Sequence, residues 1–268
     1  MHETSTLDLL TTIGETVSAA AVAAVVCFSL STTLRERVRA ALGIALWFLI
    51  VITFGATGAL GPDSAPGVPG LGAAVAVPLA ALACAFLIIR STREAMLRIP
   101  VWALIAVNGV RILGVSFLLL YSAHRLPAPF APIAGWGDIF VGLTAGPVAW
   151  LVVRHGTKAD RWVLAWNLIG FVDLFAAIAL GATSSPGPIR LFMEPPGSSI
   201  MTTLPWIIIP CFIVPSLEAL HIAIFYRLLS GHKRASNTRA ARLIAPFGPD
   251  SGPAHPRGVP GISCNEKM

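Results

Sequence analysis

Between Pro132 and Gly181 the chain reads PIAGWGDIFVGLTAGPVAWLVVRHGTKADRWVLAWNLIGFVDLFAAIALG, two apolar runs of membrane-spanning length joined by the short basic turn RHGTKADR. Runs of that length have few homes. In hydrocarbon each backbone N–H and C=O must be satisfied within its own segment, so each run is a transmembrane helix. Each also holds one carboxylate, Asp138 and Asp173, well away from the basic turn. A charge at mid-membrane costs about 3 kcal/mol on insertion scales and more in simulations, so other helices must shelter and partner both groups. That points to a site without naming a substrate.

The remaining chain is built the same way. Charged residues make up 12% of its 268 positions and hydrophobic ones 55%, whereas soluble domains carry about 25% charged residues. The net charge of +6 does not indicate a nucleic-acid partner, because the basic residues sit in short loops between apolar segments and not on one soluble face. The lipid bilayer is the expected environment. Cys27, Cys84, Cys211 and Cys264 form no CxxC, and three of them lie in apolar segments, so neither a disulfide framework nor a zinc site is expected.

Seven spans follow from the hydropathy pattern, at about Leu9–Leu30, Ala40–Leu60, Leu71–Ile89, Pro100–Tyr121, Pro132–Val153, Trp162–Ala182 and Thr203–Leu229. The fold class is all-α, a polytopic membrane bundle over 1–230. From 231 to 268 the sequence is basic and rich in Pro and Gly, with too few apolar residues to pack a core, and reads as a disordered cytoplasmic tail. The acidic start MHETSTLDLL lacks the positive n-region of a cleavable signal and reads as an exported, uncleaved N-terminus.

The positive-inside rule orients the bundle. Three short loops carry three basic residues each (Arg35, Arg37, Arg39; Arg90, Arg93, Arg98; Arg154, Lys158, Arg161), and the C-terminal side adds Arg227, Lys233, Arg234, Arg239 and Arg242. The opposite loops hold only Arg125 and Arg190. The N-terminus is therefore expected outside and the tail in the cytoplasm.

Polar residues inside the spans form a constellation. Arg111 lies near the middle of span four and Asp173 near the middle of span six, at matching depth, with Asp138 in the outer third of span five. An unpaired guanidinium at that depth is the least tolerable alternative, so an Arg111–Asp173 ion pair shared with Asp138 is expected. Asn108 shares the face of Arg111, and Trp166, Gly170, Asp173, Ala177 and Gly181 share another. Gly142 and Gly146 give span five a GxxxG spacing for close approach. In span seven Pro215 frees the carbonyl of Cys211 and opens the helix, and Glu218 and His221 follow at i, i+3, as on a kinked helix facing a cavity. Glu15 reaches the headgroup region if span one begins later than Leu9, and it is therefore not counted with these groups. Trp102, Trp136, Trp150, Trp162 and Trp206 all fall near span ends, where an aromatic belt accounts for them.

The strings GWGD at Gly135–Asp138 and WNLIGFVD at Trp166–Asp173, with the LPW, P, P and H pattern from Leu204 to His221, resemble a set of uncharacterised bacterial multi-pass membrane proteins. The resemblance covers the last three spans, carries no activity and implies a bacterial plasma-membrane location. Span seven has no lysine, which excludes a retinal Schiff base, and the spans lack the histidines of a zinc-dependent membrane hydrolase.

Asp138, Asp173 and Glu218 face only Arg111 and a histidine that is neutral by default, so at least one carboxylate is expected to be protonated or neutralised by a bound cation. This points to a proton- or cation-coupled transporter of a small solute or ion. Its binding set is Arg111, Asp138, Asp173, Asn108, Asn167, Glu218 and His221, with no catalytic residue, metal or cofactor. The alternatives are a seven-span sensor in which Arg111 binds an anionic ligand, and a structural subunit in which Arg111 and Asp173 only clamp two helices.

Overall fold

The computed structural model describes residues 6–30, 33–64 and 67–244, apart from the side chains of Leu7, Phe28–Leu30, Val68 and 231–244. Among the described residues every regular element is helical. The elements are α1 (Thr6–Leu30), α2 (Leu34–Thr57), α3 (Gly67–Ile88), α4 (Arg90–Arg98), α5 (Val101–Ala106), α6 (Val115–Ser122), α7 (Phe130–His155), α8 (Asp160–Ser184) and α9 (Val214–Ile244). Among the described residues six stretches are long and apolar enough to cross a membrane, and the fifth, Phe130–Ser184, is a 55-residue run that holds both α7 and α8. The protein is a multi-pass helical membrane bundle with a lipid bilayer as its environment.

Local chemistry explains the helix ends that differ from the hydropathy boundaries. α2 starts at Leu34 and not near Ala40, because Thr33 and Glu36 form a capping box: the Glu36 N–H donates to Thr33 Oγ1 at 3.2 Å and the Thr33 N–H donates to Glu36 Oε2 at 3.2 Å. Arg35, Arg37 and Arg39 thus sit in its first turns and not in a loop. At the other end Gly58 takes φ 66° and its N–H bonds to the Phe54 carbonyl, a left-handed cap open mainly to glycine. The basic segment after span three forms α4, a separate amphipathic helix that buries Thr92, Ala95 and Met96. The tail expected from Gly231 begins inside α9, and its remainder, 245–268, lies outside the described residues.

The two regions around the polar residues are not regular α-helix. Span four runs through α5, an eight-residue 3₁₀ segment at Val107–Gly114, and α6, although 3₁₀ runs beyond three or four residues are uncommon. The last span opens with a π-turn at Ile209–Ile213, in which the Val214 N–H reaches back to the Ile209 carbonyl. Pro215 lies just beyond this wide turn, where a tight α-turn would drive its ring against the Cys211 carbonyl.

Ile209–Ser230 is the most enclosed of the apolar stretches and Leu34–Thr57 the least. Aromatic contacts ring this central segment: Trp47 and Phe48 of α2 lie 4.5 and 5.1 Å from Phe212, Phe86 of α3 lies 5.2 Å from Tyr226, and Phe171 of α8 lies 5.6 Å from Phe225. α2 turns Leu42, Leu46 and Leu49 outward, as a helix does when lipid is its solvent. Trp102, Trp136, Trp150 and Trp162 are exposed, as an aromatic belt requires, whereas Trp206 is 1% exposed and belongs to the core.

Candidate functional site: a guanidinium among four buried carboxylates

Arg111 projects from the 3₁₀ segment between α7 and α8, with its side chain 2% exposed. Its Nε donates to Asp138 Oδ1 of α7 at 2.6 Å, and one terminal nitrogen, Nη2, donates to Asp173 Oδ2 of α8. The other, Nη1, donates to the Gly170 carbonyl at 3.0 Å and lies 3.4 Å from Nε2 of His221. The guanidinium fork thus joins the 3₁₀ segment, α7, α8 and α9, because its five N–H groups point in fixed and different directions.

These contacts settle the form of His221. A guanidinium has no acceptor, so the Nε2 that faces it presents a lone pair, and the ring proton is on Nδ1. Nδ1 then donates to Asn167 Oδ1 at 2.8 Å, and Asn167 Nδ2 donates to the His221 carbonyl at 3.1 Å. Each partner fixes the orientation of the other. Trp166 supports the same face by donating from Nε1 to Thr144 Oγ1 at 2.9 Å, with its ring 5.8 Å from that of His221.

Glycines make room for this cluster. A Cβ on Gly137 would overlap the Asp173 carboxylate, one on Gly114 would overlap Asp138, and one on Gly170 would fall 2.7 Å from His221 Cε1. On Gly142 it would lie 2.5 Å from the Ile112 nitrogen, so α7 rests against bare 3₁₀ backbone there. Gly146 has open space at the same position, and the GxxxG spacing therefore counts for one glycine and not two. The GWGD string has a geometric reading: Gly135 admits span four, Gly137 admits Asp173, and Asp138 takes Arg111.

The remaining expected site residues separate. Asn108 is fully buried but donates to the Leu104 carbonyl of its own helix at 3.0 Å, leaving Oδ1 without a partner and taking no part in the cluster. Glu218 is fully buried, and among the described residues neither of its oxygens has a hydrogen-bond partner. A cavity of about 30 Å³ does border Arg111 and Asp138, but its α9 wall is Val214 and Leu217, not Glu218 and His221. Glu218 and His221, expected to face a cavity, do not border this one, and the helix that carries them follows directly on the π-turn.

The far wall of the cavity is Glu15 with Ser18, both from α1. Glu15 is 4% exposed and lies packed among the helices. The signal in the sequence is its place six residues inside the expected start at Leu9, and α1 begins earlier still, at Thr6. Among the described residues two carboxylates, Asp138 and Asp173, thus pair with the guanidinium, a third, Glu15, shares its cavity, and a fourth, Glu218, is buried on α9, and no group of three His, Cys, Asp or Glu has metal-binding geometry.

A family model described as "Domain of unknown function (DUF8737)" matches residues 68–229, more than half of the chain. The chain belongs to this family. No curated protein and no solved structure matches it. The DUF8737 region contains Arg111, Asp138, Asp173, Gly137, Gly170, Glu218 and His221, and therefore the whole guanidinium cluster. Glu15 comes from α1, outside the matched residues.

Proposed function

We propose that this protein crosses a bacterial plasma membrane seven times, N-terminus outside, and moves a small solute in exchange for or together with protons or cations. The observation that carries the reading is the charge count around Arg111. Among the described residues the guanidinium neutralises one of four enclosed carboxylates, and Glu218 has no donor for either oxygen. A surplus of buried carboxylate is tolerable only with bound protons or a bound cation, which are the species such a carrier exchanges. The two irregular stretches, 3₁₀ at Val107–Gly114 and π at Ile209–Ile213, flank these groups and offer the alternative backbone arrangements that a moving site needs.

The test is proton movement. Purified protein in weakly buffered detergent solution is titrated with sodium, potassium and panels of small organic cations and acids while the pH is recorded. A coupled site releases or takes up protons on binding, and Asp138→Asn or Asp173→Asn, which keep shape and hydrogen bonding but do not titrate, reduce or abolish that signal. If both variants elute and melt like the parent and give the same signal, the carboxylates are a helix clamp and the coupled reading fails.

A further inference from the structure

Beside the small cavity lies a second, larger one of about 230 Å³, bounded by Val75, Phe117, Phe130, Ala177, Ile178 and Met201 among others. Its walls also include Pro69, Pro188 and Ile189, so it sits at the end of the bundle that carries the Gly/Pro-rich connectors. The two cavities share three walls, Phe117, Ile209 and Val214. Two of these belong to the π-turn and the residue that closes it. Phe117 and Phe130 stand edge to face at 5.6 Å and give the larger cavity an aromatic side.

The two cavities have complementary chemistry. About 30 Å³ accommodates one or two water-sized groups, and the polar residues of the lining are Glu15, Ser18, Asp138, whose Oδ1 is taken by Arg111, and Arg111 itself, so that two carboxylates stand there against one guanidinium. None of the hydrogen bonds among the described residues engages the Glu15 carboxylate, which is nevertheless 4% exposed and borders the cavity. An ammonium group has three N–H donors and one positive charge, matching three acceptors and the surplus negative charge. The larger cavity exceeds the roughly 150 Å³ that takes a benzene molecule in an apolar protein interior. It suits a phenyl ring with a short alkyl chain, and Phe117 lines both cavities, within reach of a cation held in the smaller one.

We propose that the two cavities form one site for a small amphipathic amine, its ammonium group held between Glu15 and Asp138 and its apolar body in the pocket behind Phe117. This deepens the coupled-carrier reading by naming the solute class, and it rests on that reading only for its link to proton movement. α1 supplies the recognition carboxylate, while Asp173 and His221 hold Arg111 in place from the other side.

The test uses three matched probes, 4-phenylbutylamine, the neutral 4-phenylbutanol and the anionic 4-phenylbutyrate, titrated calorimetrically into the full chain in detergent, with protein-free micelles subtracted. The amine is expected to bind at least roughly tenfold more tightly than the alcohol, the least that hydrogen bonds to a charged group supply, and the acid more weakly than either. Glu15→Gln brings the amine to within about twofold of the alcohol, whereas Ala177→Phe, which fills the larger cavity, weakens both. Equal binding of amine and alcohol by the parent overturns the site, as does an amine preference that survives Glu15→Gln in a folded variant. The parent's three-probe comparison needs no variant, so a Glu15→Gln chain that fails to fold leaves the test intact. Recording pH in the same titration separates the two readings. Amine preference without proton movement keeps the site and overturns the coupling, and proton movement with other solutes but no amine preference does the reverse.

Discussion

At the scale of single residues the protein is organised by what Arg111 requires. A guanidinium enclosed by apolar helices is tolerable only when its N–H groups are met, and here they meet two carboxylates, a helix carbonyl and a neutral imidazole. Arg111→Ala should lower stability by about 3–5 kcal/mol, because it leaves Asp138 and Asp173 enclosed without their partner. Adding Asp173→Ala should cost much less than it does in the parent. The double-mutant cycle, measured by thermal or denaturant unfolding in one detergent, then gives a coupling of at least about 1 kcal/mol. Strict additivity would mean that the two side chains do not interact in the folded protein. Gly137→Ala should act on the same pair from the opposite side, since the added methyl occupies the place of the Asp173 carboxylate. A loss of roughly 1–3 kcal/mol is expected, as for overpacking in a core.

Among elements, the closest approach is that of α7 to the 3₁₀ segment of span four, where Gly142 lies against the backbone of Arg111 and Ile112. Gly142 and Gly146 share a helix, a spacing and a residue type, yet only the first touches anything. Gly142→Ala should therefore separate the two elements and lower the melting temperature. Gly146→Ala should leave it unchanged or raise it, because alanine is favoured over glycine inside a helix by about 0.5–1 kcal/mol and meets no neighbour there. Melting both variants in the same detergent decides this, and equal losses would mean that α7 packs on its neighbours in another register. The capping box at Thr33 gives a second test at this scale. Thr33→Ala should cost about 1 kcal/mol and Thr33→Ser very little, since serine retains the oxygen that accepts the Glu36 N–H.

For the whole molecule the question is which end of the bundle faces which compartment. Basic residues crowd one set of connectors and nearly avoid the other, and the cavities proposed to take an amine open toward the poor end, near Pro69 and Pro188. Reporter fusions at Asp63, Pro129 and Pro186 should give an exterior signal, and fusions at Glu94, Lys158 and Lys233 a cytoplasmic one. A single reversed site would remove one of the seven proposed crossings and turn the carboxylates of the following helices toward the other compartment.

Hydropathy and charge by themselves determined that the chain is a helical membrane bundle and which residues cannot be left alone in it. Length of apolar run and cost of a buried charge are local quantities, and they are readable one segment at a time. Arg111 and Asp173 could be paired on that basis because both sit at mid-span, and equal depth is a matter of counting residues. Only the tertiary structure decided the rest. Asn108, three residues from Arg111, turns to its own helix, since eight residues of 3₁₀ geometry change the angular spacing on which a shared α-helical face depends. Glu218 is enclosed with no hydrogen-bond partner among the described residues, on the helix that follows the π-turn at Ile209–Ile213. Glu15 is a headgroup residue only for a first span that begins later than Leu9, and the structure makes it a cavity wall because α1 begins at Thr6 and packs against span four. Irregular helix geometry and packing are set by contacts between segments distant in sequence, so no single run of residues records them.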